Sequence, residues 1–442
     1  MWKAFLVFVG PLMVANILQS LSGTINNFYM GQMIGVKAVA TVSVLFPVVF
    51  FFIAFAIGLG AGASVLIGQA WGARQISTAR EVAGSTLTLG IALGLAVAVC
   101  GTALAEPMLR VMGTPPDIFP DALRVARITL ATMPGVFLFI LSITMLRGVG
   151  DTVGPLYALL LSNAVGLMLT PALIRGWLGL PRLGVTSGTW AAVVSFALGL
   201  LWLAWHLRRK NSPLKPDAEF FRHMHFNGRL LKTVLRVGVP TGVQMIVIAV
   251  AELALLSVVN RYGSDAAAAY GAINQIVAYV QAPAISIGIA ASILGAQTIG
   301  AGQAQRLAVI ARTAMLINLL LTGALVALGY LFSHQLIGFF ITSAPVAAKA
   351  QTLLYIMLWS LVILGMASVL SGIMRASGTV LVPTVIYVGC LILVEVPTAW
   401  IASRYFGLNG VWLAYPAAFS AMLLLQWAYY RVWRGQAIER MI

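Results

Sequence analysis

The stretch GLGAGASVLIGQAWGAR, residues 58–74, is mostly apolar yet rich in glycine, and the stretch SIGIAASILGAQTIGAG, residues 286–302, repeats its outline. Six positions recur, and every pair is related by the same offset in the numbering. They are Gly60, Ala63, Ser64, Leu66, Gln69 and Gly72, which return as Gly288, Ala291, Ser292, Leu294, Gln297 and Gly300. Helices in lipid associate through small residues that let their backbones approach. The spacing of Gly58 and Gly62 therefore predicts a close helix–helix contact, and the recurrence predicts a duplicated chain.

The composition places the chain in a membrane. Of its 442 residues, 61% are hydrophobic and only 9% are charged, whereas soluble domains carry about 25% charged residues. Apolar runs of about 20 residues, the length that crosses a bilayer, recur along the whole chain. We therefore predict an all-α polytopic membrane protein with twelve transmembrane helices. The predicted spans are residues 5–30, 40–68, 82–104, 122–146, 152–174, 186–207, 234–260, 267–296, 308–332, 350–374, 380–403 and 410–433.

The loop charges predict the orientation. With the N-terminus in the cytoplasm, 18 of the 27 Lys and Arg residues fall on the cytoplasmic side and nine on the other. Since Lys and Arg accumulate in cytoplasmic loops, we expect a multi-pass protein of the plasma (inner) membrane with both termini in the cytoplasm. The net charge of +16 is then explained by a basic face beside anionic lipid, and no nucleic-acid partner is expected.

The duplication extends beyond the opening stretch. LRGVGDTVGP at 146–155 corresponds to MRASGTVLVP at 374–383 at the same offset, and Trp190 corresponds to Trp412 at a slightly shorter one. Six spans per half is an even number, so both halves enter from the same side and form two parallel six-helix repeats. The predicted domains are an N-terminal lobe at 1–207, a basic cytoplasmic linker at 208–232 and a C-terminal lobe at 233–442.

The linker contains His223 and His225, but neither a cysteine nor a third histidine lies near them. Cys100 and Cys390 are isolated inside apolar runs. Because metal sites need a clustered set of ligands, we predict no metal and no cofactor.

Several motifs together resemble one family of transporters. GLGAGASVLIGQAWGA, its echo at 286–302, LRGVGDT at the end of span four and GVPTGVQM at the start of span seven are similar to the multidrug and toxic compound extrusion family. The resemblance covers roughly residues 10 to 430. It implies twelve spans in two lobes, and export of bulky, often cationic or amphipathic compounds by antiport with Na⁺ or H⁺.

Two alternatives to the antiporter stay open at this point. The first is a lipid-linked precursor flippase of the same superfamily, although no set of basic residues inside the spans is suited to a pyrophosphate. The second is a membrane-embedded enzyme, for which no constellation of catalytic residues is evident. Because no phosphate-binding G-x-x-x-x-G-K-[ST] loop is present, we expect an ion gradient rather than ATP to drive transport. The expected partners are small-molecule substrates and membrane lipid, and the expected state is a monomer.

The acidic residues point to an ion site. Of the eleven Asp and Glu residues, Glu252 in span seven and Glu395 in span eleven lie inside predicted spans. An acid within the membrane is costly and marks a functional site. We therefore predict that Glu252 and Glu395 couple transport to Na⁺ or H⁺. A structural hydrogen bond, or for Glu252 a pairing with Arg261, is the alternative for each.

The chain departs from the family at several acidic positions. Asn26 stands where many relatives carry an acid in span one, and Thr170 precedes Pro171 where relatives often have Asp. Ile248 occupies the position of a span-seven Glu in other relatives, and Glu252 lies one helical turn beyond it. Those relatives also carry an Asp in span ten, whereas span ten of this chain contains no acidic residue. The second half is therefore expected to hold a rearranged ion site.

Polar side chains along two helical faces predict the substrate path. Neutral polar groups beside aromatic and Met side chains suit loosely specific binding of amphipathic compounds, although hydrogen bonds between helices are an equal alternative. The candidates are Gln19, Ser22 and Asn26 in span one, and Tyr270, Asn274 and Gln281 in span eight.

Overall fold

The structure is a computed structural model that describes residues 2–341, 343–436, 438 and 440–442. These residues form α-helices joined by short turns, and none of them is in a β-strand. The helices are α1 (Trp2–Met33), α2 (Val36–Gly72), α3 (Ile76–Val111), α4 (Phe119–Ala131), α5 (Met133–Gly148), α6 (Val153–Arg175), α7 (Ser187–Arg209), α8 (Ala218–Arg222), α9 (Gly228–Asn260), α10 (Ser264–Gly300), α11 (Leu307–Leu331), α12 (Ser333–Phe340), α13 (Ala344–Met357), α14 (Ser360–Ala376), α15 (Leu381–Cys390), α16 (Val396–Phe406), α17 (Leu408–Trp412) and α18 (Ala414–Trp433).

The twelve-span prediction is confirmed. Within the described part of the chain, ten segments are long and apolar enough to cross a membrane unbroken, and two bent helix pairs supply the remaining spans. Each span lies where the hydropathy predicts it, although several helices extend a turn or more beyond the predicted ends. Glu81 and Glu106 consequently fall inside α3, but both are near its ends.

The bends were not predicted. Helices α4 and α5 meet at Thr132 with an angle of 50°, and Pro134 follows in the first turn of α5. A proline there lacks the N–H that would continue the hydrogen bonds of α4. Helices α13 and α14 meet at 42°, where the Ser360 hydroxyl donates to the Met357 carbonyl. Such local side-chain bonds compete with the regular helix ladder.

The glycines of the opening stretch have a partner helix. Gly58 and Gly62 of α2 face Gly238 of α9, with Gly242 one turn further along α9. A Cβ at Gly58 would lie 2.5 Å from the Gly238 carbonyl oxygen and 2.7 Å from the Gly242 nitrogen. The two backbones are therefore in direct contact, which only glycine permits. We call the contact of Gly58 and Gly62 with Gly238 and Gly242 the glycine seam.

The duplication is also visible in helix packing. Gly60 of α2 packs directly on the Thr144 side chain of α5. The equivalent positions in the second repeat, Gly288 of α10 and Gly372 of α14, are likewise in direct contact. The same pair of helices is thus packed through the same positions in each repeat.

The chain forms two compact units. One comprises Val14–Gly242, and the other comprises the start of the chain up to Met13 together with Val243–Ile442. The divisions fall inside α1 and α9, the first helix of each repeat. The first half of α9 therefore packs with the unit that contains α2, although by sequence it opens the second repeat.

Hydrogen bonds and ion pairs hold the linker against α3. The guanidinium of Arg80 in α3 is only 7% exposed and donates to the Pro213 carbonyl at 2.8 Å and to the carboxylates of Asp217 and Glu219. Further along, the Asn227 amide donates to Glu81 at 2.7 Å. The basic linker is thus held at two places on α3 rather than being a free tether.

Candidate functional site

A widened helical turn presents Glu395. Helix α15 ends at Cys390, residues 391–395 form a single π-helical turn, and α16 begins at Val396 with Pro397 in its first turn. Because Pro397 has no N–H, the Leu393 carbonyl loses its usual helical partner and the turn can open. Turns of this kind are frequent at functional sites. The Glu395 side chain is buried, with 2% of the residue exposed.

Glu252 lies close to Glu395. It belongs to α9, two turns before the helix ends, and it is exposed. The two carboxyl groups are near enough for their charges to interact. The structure thus brings together one buried and one accessible acid that are far apart in the sequence.

Three tyrosines lie close enough to the two acids to feel their charges. The Tyr270 and Tyr415 hydroxyls are hydrogen-bonded at 2.9 Å in a buried position, and the Asn274 side chain is hydrogen-bonded to Tyr270. The charges of Glu252 and Glu395 reach Tyr270, Tyr415 and the Tyr387 hydroxyl. Hydroxyl groups, an amide side chain and two carboxyl groups are therefore close together in the unit that contains Val243–Ile442, called the C-terminal unit below.

An aromatic wall supports this cluster. The Tyr270 ring is stacked on Trp412 with centroids 5.8 Å apart and planes 5° apart, and Tyr415 packs on Phe419 at 6.0 Å. Trp412 is fully buried. Since these rings fill the space on one side of the hydroxyls, the hydroxyl groups have a fixed orientation.

In the described part of the chain, the acid pair has no basic partner. Among the ion pairs of the described residues, none includes Glu252 or Glu395. The acids of α3 differ, since Glu106 pairs with Arg110 at 2.6 Å. A buried carboxyl group such as that of Glu395, which feels the charge of a second acid and pairs with no Lys or Arg among the described residues, is costly to ionise unless a proton or a cation offsets the charge.

A site for a transition metal would need several His, Cys, Asp or Glu side chains close together. Within the described part of the chain, no group of three or more His, Cys, Asp or Glu side chains is suited to a metal ion. In the linker, His225 faces Glu81 at 3.9 Å.

The predicted substrate-path residues fall into separate places. On α10, Tyr270 and Asn274 belong to the cluster around the acids, whereas half-buried Gln281 lies two turns beyond Asn274, outside the contacts described above. On α1, Gln19 is exposed and Ser22 is half-buried. Asn26 lies beside Gly188 at the start of α7. The α1 residues belong to the unit that contains Val14–Gly242.

Sequence reasoning missed part of the cluster. Tyr387 and Tyr415 were not predicted as site residues, and Trp412 served only as a marker of the repeat. The Val-Pro that follows Glu395 is the one local signal that could have indicated a disturbed helix. Nothing in the sequence links Tyr415 to the distant Tyr270, with which it shares a hydrogen bond.

Comparison with known proteins gives consistent matches. The MatE family model matches residues 11–172 and 240–401, one segment in each repeat. The chain is 42% identical to "Probable multidrug resistance protein YoeA" of Bacillus subtilis (strain 168), over 100% of this chain and 96% of that protein. It is 24% identical to "Multidrug export protein MepA" of Staphylococcus aureus (strain MSSA476), over 93% and 89%.

A solved structure shows the same fold. It is described as the outward-facing conformation of a multidrug resistance MATE family transporter of the MOP superfamily. The TM-score is 0.91 at 23% sequence identity, with 98% of this chain and 96% of that chain covered.

Proposed function

The chain belongs to the MatE family, and on that premise we propose that it is a secondary antiporter that exports drugs or other amphipathic and cationic organic compounds in exchange for Na⁺ or H⁺. The names of its relatives, a multidrug resistance protein and a multidrug export protein, support the substrate class. The absence of a phosphate-binding loop from the sequence supports an ion gradient as the energy source.

The observation that carries the proposal is the uncompensated pair of Glu252 and Glu395. A proton or cation that binds there removes negative charge from the C-terminal unit, and its release restores that charge. A site whose charge changes in this way can favour one conformation when the ion is bound and another when it is free. Glu252 is accessible and exchanges the ion with water. Glu395 is buried and binds the same ion together with Glu252.

The surroundings are compatible with either ion. For Na⁺, the hydroxyls of Tyr270, Tyr387 and Tyr415 and the amide oxygen of Asn274 supply the oxygen ligands that hard cations require. For H⁺, the same hydroxyls form hydrogen bonds with a protonated or ionised carboxyl group. The choice between the ions therefore needs a measurement.

The test uses purified protein in lipid vesicles with a fluorescent organic cation as substrate. A Na⁺ gradient and a H⁺ gradient are imposed one at a time. We expect transport under one of them, and its loss when Glu252 or Glu395 is replaced by Gln. Transport that needs ATP, or that proceeds equally without either gradient, would contradict the proposal.

A lipid-linked flippase is not favoured. A pyrophosphate-linked substrate needs basic side chains inside the spans, and the candidate site instead holds two acids. The names of the relatives also refer to drugs rather than lipids.

The proposal includes a location and an orientation. We expect a monomer in the plasma membrane, with both termini in the cytoplasm and no cofactor besides the coupling ion. A reporter enzyme that is active only in the cytoplasm should work when fused after Gly435 or inserted near Pro213. Inactivity at both positions, with full-length protein present, would reverse the orientation.

A further inference from the structure

The last helix of each repeat carries an arginine stacked on a tryptophan. In α7 the Arg209 guanidinium lies 5.3 Å from the centre of the Trp205 ring. In α18 the Arg431 guanidinium lies 3.6 Å from the centre of the Trp427 ring. Both pairs have the spacing i, i+4, and they are related by the offset that relates Trp190 to Trp412. The arrangement is therefore duplicated with the repeat.

Both pairs face outward from their units. Trp205 is 53% exposed and Trp427 is 43% exposed, and the two arginines are exposed as well. Large apolar side chains on the same helices are also exposed, such as Leu201 in α7. In a membrane protein such a surface faces lipid, and Trp is typical of the depth at which the lipid headgroups begin.

In the part of the chain that the structure describes, the indole is the partner of each of these two guanidinium groups. Within the described residues, neither Arg209 nor Arg431 forms an ion pair or a side-chain hydrogen bond. Adjacent Arg208 differs, since its Nε donates to the Pro216 carbonyl at 3.0 Å. Cation–π contact with the face of an indole holds a guanidinium in place, and the N–H groups that point away from the ring remain free to bind an external anion.

A phospholipid phosphate fits these donors. Arginine binds phosphate through two parallel N–H···O bonds, and each pair lies in the last turn or two of its spanning helix. The loop charges predict that both ends lie on the cytoplasmic side, where anionic phospholipids attract basic residues.

We propose that Trp205 with Arg209, and Trp427 with Arg431, form two equivalent binding sites for the headgroups of anionic phospholipids, one at the end of each repeat. The phosphate accepts two hydrogen bonds from the guanidinium, and the acyl chains lie along the apolar outer surface of the helix. Two further pairs, Trp177 with Arg175 and Trp400 with Arg404, lie on the opposite side of the membrane in the predicted topology.

The test is a titration of the detergent-solubilised full chain with short-chain phosphatidylglycerol, followed by native mass spectrometry. We expect Arg209→Gln and Arg431→Gln each to remove one tightly bound lipid and to weaken that site about tenfold, the loss of one charge-assisted bidentate contact. Trp427→Leu, which keeps the charge but removes the platform, should weaken binding by at least about threefold, since it loses the cation–π contact. The pairs Trp177 with Arg175 and Trp400 with Arg404 are unchanged in all of these variants and give a constant background.

Two matched control variants distinguish a specific lipid-binding site from a general effect of positive charge. Arg208→Gln and Arg434→Gln remove the same charge close to each site but leave the stacked pairs intact. They should weaken binding by no more than about fivefold, the effect of one basic residue near the lipid surface, and should remove no bound lipid. Equal effects of the controls and the site variants, or no effect of Arg209→Gln and Arg431→Gln, would overturn the proposal. All variants lie on the surface, and unchanged melting temperatures would establish that they fold.

Discussion

Adding one methyl group to the glycine seam should destabilise the protein. In Gly58→Ala the new Cβ would lie 2.5 Å from the Gly238 carbonyl oxygen, so α2 and α9 must separate by about 1 Å to reach an ordinary contact distance. Overpacking of this kind costs about 2 kcal/mol. Part of this is offset, because alanine is better than glycine inside a helix by about 0.5–1 kcal/mol.

The distances around each glycine predict the order of stability of the variants in the glycine seam. At Gly238 a Cβ would meet the Gly58 carbonyl oxygen at 2.7 Å, whereas at Gly242 the nearest atom is the Ala54 carbonyl oxygen at 3.2 Å. Gly323 of α11 has no atom within 4 Å of the position of a Cβ, so Gly323→Ala is a matched control. We expect Gly58→Ala and Gly238→Ala to be the least stable, Gly242→Ala to be intermediate and Gly323→Ala to equal or exceed the wild type.

Thermal unfolding of the purified protein in detergent measures this order. A difference of about 2 kcal/mol between Gly58→Ala and Gly323→Ala corresponds to roughly 4–8 °C in melting temperature. A Gly58→Ala protein as stable as Gly323→Ala would refute the close contact between α2 and α9.

Two further predictions concern the linker and the tyrosine cluster. The backbone N–H of Phe220, followed by the charge of Arg80, holds the pKa of Asp217 below its usual value. The linker should therefore stay docked above pH 4 and loosen only as the pH falls through the lowered pKa. Asp217→Ala, which removes the side-chain cap of α8, should speed trypsin cleavage of the linker at pH 7 about fivefold, the loss of one helix cap. Tyr415→Phe should slow ion-driven transport in vesicles about tenfold, because it removes the buried hydrogen bond between the Tyr415 and Tyr270 hydroxyls. The control Tyr330→Phe should change the rate little, and equal rates in both variants would exclude a role for the Tyr415 hydroxyl.

The sequence was sufficient for the spans and the repeat. Hydropathy reports the length of chain that suits a bilayer, and a fixed offset between matching motifs reports duplication. Both properties are local or internal to the sequence, so they could be read without a structure. The helix bends at Thr132 and near Leu358 leave the hydropathy unchanged and were therefore missed.

The candidate site was predicted only in part. Glu252 and Glu395 stood out because an acid within a span is rare, but their neighbours depend on contacts between distant helices. Tyr415 is one of twelve tyrosines in the chain, and its position beside Tyr270 comes from the packing of both α10 and α18 against α14. The partner of Gly58 was likewise hidden, since a glycine pattern indicates close packing without naming the helix that packs there.

The most direct test of the central claim is transport by Glu252→Gln protein in vesicles. Wild-type protein should accumulate a fluorescent organic cation under an imposed Na⁺ or H⁺ gradient. Gln keeps the size of the side chain but can neither hold a negative charge nor exchange a proton, so the variant should still insert and bind the dye yet lose gradient-driven transport. Glu106→Gln, which alters an acid of α3 that pairs with Arg110, serves as the control and should transport normally. Wild-type rates from Glu252→Gln under the same gradient would contradict the account and place the coupling site elsewhere.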